Sequence, residues 1–222
     1  MIILLPFAAV LIGYIIALKI STKQENSIKL LLAFSGAFLL AITMFELLPT
    51  LFNYDINQVE VFIMMGILLQ IVLEFLSKGA EHGHVHNNGN NKNTIIPIFI
   101  SLSIHSLIEG FPIVENQALL FAIVIHKIPI AIIVTTFLFK QKISSTKRYA
   151  SLLIFALMTP LGAYLGKYSA QIEVIYPYLN AISVGIFLHV SSIILFESSN
   201  KHQFNIRKLF TIIVAIVIAY FL

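Results

Sequence analysis

Two polar patches interrupt otherwise apolar stretches of this chain: HSLIEGFP, with His105 and Glu109, and HKIP, with His126 and Lys127. Imidazole nitrogen and carboxylate oxygen are ligands of borderline divalent cations such as Zn2+, and the same donors hold the zinc that activates water in hydrolases. His105 and Glu109 stand at i and i+4, on one face of a helix. With His126 from the next segment they make a three-point cradle for one dication. An ionisable group inside a lipid-spanning segment is costly and faces a partner or a water-filled path. Four of them on two consecutive segments therefore predict a functional site. The competing arrangement is an inert buried ion pair of Glu109 with Lys127, with His105 bonded to a carbonyl.

The elements that must position these groups are membrane spans. Of the 222 residues 59% are hydrophobic and 11% charged, against about half and about a quarter in soluble domains, and mean hydropathy is +0.94. A transmembrane helix needs about 20 apolar residues. Eight such stretches are predicted, at 2–20, 29–52, 58–77, 95–113, 116–139, 149–169, 176–197 and 207–222, so that 1–222 is one eight-helix domain. Helices are required because backbone groups in lipid must be satisfied internally and these spans are too long for barrel strands. The first stretch lacks a basic start and a small-residue cleavage site, and reads as a mature helix rather than a signal peptide.

Charge sets the orientation. Twelve of the fourteen basic residues fall in odd-numbered loops, Lys167 lies in an even-numbered one and Lys127 inside a span. Cytoplasmic loops are enriched in Lys and Arg, so both termini are expected on the extracytoplasmic side of the plasma (cell inner) membrane. The same distribution argues against nucleic acid as a partner despite the net charge of +4, because the basic residues sit beside spans. With no cysteine, thiolate sites and disulfides are excluded. At 1.5 Å per residue His105 and His126 each lie about 15 Å from the ends of their spans, near mid-bilayer, and the short turn between them makes the two spans antiparallel neighbours.

Other groups join as candidates. The loop 79–94 carries His82, His84 and His86 among Gly and Asn, a composition too polar to pack, and alternating imidazoles chelate metal loosely. The alternative is a solvated loop with incidental histidines. Glu46 in FELLP is an entrance ligand or an interfacial carboxylate; His189 in FLHVSS faces the path or packs between helices; Glu197 belongs to an exit, and Glu74 reads as exposed. Pro112, Pro129 and Pro160 interrupt the fourth, fifth and sixth spans, and each frees a carbonyl four residues earlier.

Across nearly its whole length the chain resembles the ZIP (Zrt/Irt-like) divalent metal transporters. HSLIEG and HKIP are the most specific parts, and FELLP, TPLGAYLG and GIFLHVSSIILFE are similar to the family's second, sixth and seventh helices. The resemblance implies a 3+2+3 bundle, with the outer triplets an inverted repeat around helices four and five, and uptake of zinc or iron toward the cytoplasm. It implies His105, Glu109 and His126 as primary-site or path residues. Where the family carries a helix-five acid for a second metal this chain has Lys127, and Ile130, Ser106 and Thr159 replace other polar groups. An ammonium in place of a carboxylate turns an attraction for a dication into a repulsion of about 8 kcal/mol at 4 Å and an effective dielectric near 20. A single-metal centre follows, with Lys127 standing at the second position. The divalent ion is cargo and no organic cofactor is expected; the partners are the lipid bilayer, the metal and, in a homodimer, a second copy. An intramembrane metal-dependent hydrolase is the enzyme alternative, opposed by the lack of an H-E-x-x-H or nucleophile motif. A non-transporting metal-binding or sensor homologue is the third reading.

Overall fold

A computed structural model describes residues 4–20, 25–53, 58–77, 79, 92–114, 116–168, 170–197 and 206–222. Those residues form eight helical segments and no strand: α1 (Leu5–Lys19), α2 (Glu25–Ile42, continued by a π turn, Thr43–Leu47, and a last turn, Leu48–Leu51), α3 (Val59–Ser77), α4 (Lys92–Ile108), α5 (Gln117–Lys140), α6 (Ser145–Tyr168), α7 (Ala170–Glu197) and α8 (Ile206–Tyr220). Helices α2 to α7 are long and apolar enough to cross a membrane, and α1 is a shorter apolar helix. The protein is an all-helical polytopic membrane protein.

Pairing follows an inverted repeat. α1 lies on α5 as α6 lies on α4, and α3 lies on α7 as α8 lies on α2. Without a hydrophobic force between helices in lipid, small residues permit the close backbone approach that packing needs. Gly110 meets Gly162 where α4 crosses α6, Gly66 meets Gly185 where α3 crosses α7, and Gly13 meets Ala131 where α1 crosses α5. A Cβ at Gly162 would run into the Leu107 carbonyl oxygen. Gly162→Ala is therefore expected to cost about 1–3 kcal/mol by overpacking, read as a fall in Tm of about 2 °C or more per kcal/mol. An unchanged melting curve would mean that the two helices do not touch at this point.

Helix ends differ from the expected spans in ways proline explains. Pro112 has no N–H for the Ile108 carbonyl and its ring crowds that turn, so α4 stops at Ile108 and a 3-10 turn, Phe111–Val114, follows. At the other end α4 begins at Lys92, three residues before the expected span. α7 starts at Ala170 and runs through Pro177 rather than beginning beside it. Pro49 likewise denies the Phe45 carbonyl its donor, and α2 widens at Thr43–Leu47, where Leu48 N–H donates back to the Thr43 carbonyl.

Candidate metal centre

The broken end of α4 builds the site. Two of its carbonyls lose their helical partners and take hydroxyls from other helices. Thr159 of α6 shares its one hydroxyl hydrogen between the Ser106 carbonyl at 2.9 Å and Glu109 Oε1 at 2.8 Å, and Ser183 of α7 shares its own between the Leu179 carbonyl at 3.0 Å and the Ile108 carbonyl at 3.3 Å. A buried carbonyl left without a donor costs about 1–3 kcal/mol, so these bonds fix the last turn of α4 against its neighbours. His105 and Glu109 sit on that turn.

Glu109 is buried, and both its oxygens are engaged. Oε1 lies 2.6 Å from the Lys127 ammonium and accepts a 2.8 Å bond from Thr159 Oγ1. Oε2 lies 3.3 Å from His105 Nε2. The Lys127 ammonium also donates to Ser106 Oγ at 2.6 Å and rests 4.6 Å from the Phe155 ring centroid, a favourable place for a cation. Thus α4, α5 and α6 meet through one carboxylate and one ammonium. The helical part of α4 packs on α3 and α6 rather than directly along α5. The expected side-by-side packing of the fourth and fifth spans is replaced by this long-side-chain bridge.

His105 Nδ1 is 3.0 Å from Gln70 Oε1 on α3. With the amide placed oxygen-first, Nδ1–H donates, and in the neutral imidazole the Nε2 lone pair faces Glu109. Orientation of a ligand imidazole through its other nitrogen is the usual support of metal-binding histidines. Sequence reasoning missed Gln70, although an amide in the middle of a helix as apolar as α3 was a signal. It also took Glu74 as exposed. That carboxylate lies 2.8 Å from His189 Nε2, one turn along α3 from Gln70 and on the same face.

The structure brings His105, Glu109 and Lys127 together but not His126, whose Nδ1 is 3.5 Å from Ser35 Oγ on α2. The three-point cradle is therefore not assembled. Among the described residues no group of three His, Cys, Asp or Glu is placed to hold a metal ion. The physical reason is helix geometry: consecutive residues point about 100° apart, and Lys127 takes the direction of Glu109. Both contacts of the competing arrangement are present: Glu109 pairs with Lys127, and His105 bonds a carbonyl oxygen, that of the Gln70 side-chain amide. Glu46 is exposed on the π turn of α2, and Glu197 ends α7 with its side chain outside the described set. His82, His84 and His86 lie outside the described residues.

No curated protein matches the chain. Residues 90–221, more than half of it and including α4 to α8, match the family model for the ZIP zinc transporter. That breadth of match, on a polytopic helical bundle whose broken fourth helix presents a histidine and a glutamate to its neighbours, assigns the chain to the ZIP family, whose members transport divalent metal.

Proposed function

We propose that this protein carries Zn2+ toward the cytoplasm one ion at a time, with His105 Nε2 and Glu109 Oε2 as ligands and the Lys127 ammonium as a permanent second cation. The observation that carries this reading is the 3.3 Å separation of those two atoms. With Nδ1–H given to Gln70, two acceptors face each other, which is unfavourable until a proton or a metal lies between them. Ligands at about 2.0–2.2 Å from tetrahedral zinc are spaced about 3.4 Å apart, so the pair needs little rearrangement to chelate. Water completes the shell. His126 lines the path on the α2 side, Glu46 lies toward the entrance, and Glu74 with His189 receives the ion beyond Gln70, before Glu197 and the histidine loop.

Lys127 gives this centre its character. A dication arriving at Glu109 meets an ammonium on the other oxygen, so the carboxylate offers one free edge. The same pairing favours a second reading, a metal-binding homologue without flux, because Oε1 is committed to Lys127 and Thr159.

Proteoliposomes loaded with a zinc-sensitive dye test both. Wild type is expected to show saturable Zn2+ entry, with Fe2+ measured in parallel. Gln70→Leu, which removes the orienting acceptor, is expected to raise the half-saturating concentration about 10-fold or more. Zinc binding without entry would establish the second reading, and no binding at all would defeat both.

A further inference from the structure

Beside the metal centre, an apolar groove runs between α1 and α6, lined by Phe7, Val10, Leu11, Leu152, Leu153 and Ala156. Leu11 and Leu153 are exposed along it, so its open side faces whatever surrounds the bundle. In a polytopic membrane protein that is lipid.

One end of the groove is chemically distinct. Tyr14 and Tyr149 face each other there with ring centroids 6.4 Å apart, and both pack on Phe139, at 6.2 Å each. Tyrosine pairs of this kind belong at the headgroup level, with an apolar body and a wet tip. The Arg148 guanidinium lies 4.5 Å from the Phe139 centroid, and its Nε has no hydrogen-bond partner among the described residues. Lys140, Lys142 and Lys147 are exposed beside it, and the sequence has no acidic residue between Glu115 and Glu173. The rim is therefore a cluster of positive charge from a stretch of sequence without acidic residues, adjoining a greasy slot of helical length. From Tyr149 to Ala156 the slot is about 10 Å long.

We propose that the α1 and α6 groove binds an anionic phospholipid from the leaflet on the lysine-rich side. An acyl chain lies along Leu11, Leu152 and Ala156, and the headgroup phosphate meets Arg148 and Lys147. Arginine is suited to this because its planar fork donates to phosphate oxygens while its face stays on the ring. Basic pockets between transmembrane helices on the cytoplasmic side are a known form of lipid recognition. Ala156 is next in sequence to Phe155, the ring beneath Lys127, so the groove and the ion pair are served by neighbouring residues of α6. The assignment does not depend on whether the chain moves metal.

The test is native mass spectrometry of the delipidated full chain titrated with phosphatidylglycerol or phosphatidylcholine. Wild type is expected to retain phosphatidylglycerol at least about five-fold better, the effect of one well-placed basic residue. Arg148→Gln, at a half-buried site where folding is safe, is expected to reduce retention to the phosphatidylcholine level, and Ala156→Phe to lower retention of both lipids. Equal retention of the two lipids by wild type, or undiminished phosphatidylglycerol binding in Arg148→Gln, would overturn the proposal. So would a dimer lost in Ala156→Phe with lipid binding unchanged, since the groove would then be covered by a second copy.

Discussion

Glu109→Gln is expected to cost about 3–5 kcal/mol of stability, because it leaves the Lys127 ammonium buried without its counter-charge, and to abolish zinc entry. Both partners are almost fully enclosed, at 2% exposure for Lys127 and 1% for Glu109, so water cannot replace the lost carboxylate. Ser106 and the Phe155 ring remain, but neither carries charge. The double variant Glu109→Gln with Lys127→Met separates structure from function. Removing both charges of a buried pair is often neutral or stabilising, so the double variant should recover most of the lost stability and no flux. Thermal unfolding in detergent with a double-mutant cycle reads the coupling. A single variant that melts like wild type would show that the pair contributes nothing to the fold.

Lys127→Glu is expected to make stability depend on metal. Two carboxylates on α4 and α5 would then face each other where one ion pair stood, a swing from attraction to repulsion worth several kcal/mol even at an effective dielectric of about 20. In chelator the variant should melt well below wild type. Saturating zinc should restore it, since a ligand at about 100 times its Kd adds about 2.7 kcal/mol to the folded state and here it also cancels the repulsion. Wild type, with its second cation built in, should gain only the smaller shift of one bound ion. Equilibrium dialysis is expected to count one more zinc per chain in the variant than in wild type. An equal zinc-induced Tm shift in the two proteins would remove Lys127 from the role assigned to it.

Much of the fold was legible because lipid constrains it. Each of the eight apolar stretches corresponds to a helix, since backbone in hydrocarbon must be satisfied internally and stretches this long exceed the strands of a barrel. Ends were less legible. Pro112 stops α4, where Ser183 of α7 reaches the freed Ile108 carbonyl, whereas Pro129 and Pro160 are absorbed within α5 and α6. His105 and Glu109 share a face through i and i+4 spacing alone, so their meeting could be read directly. Which of His126 and Lys127 would face them could not, because the rotation of α5 is set by packing on α1 and α2, through Ala131 against Gly13 and similar contacts. Gln70 and Glu74 were legible as polar groups at i and i+4 in an apolar span, but their partners, His105 and His189, lie on α4 and α7 and depend on tertiary structure.

Crystals of the wild-type protein grown with zinc, with anomalous scattering recorded on both sides of the zinc absorption edge, test the central claim most directly. One peak is predicted inside the bundle on α4, within about 2.0–2.2 Å of His105 Nε2 and Glu109 Oε2, with the Lys127 ammonium still on Oε1. Two peaks at Glu109, or none there with His105 and Glu109 unchanged, would contradict it.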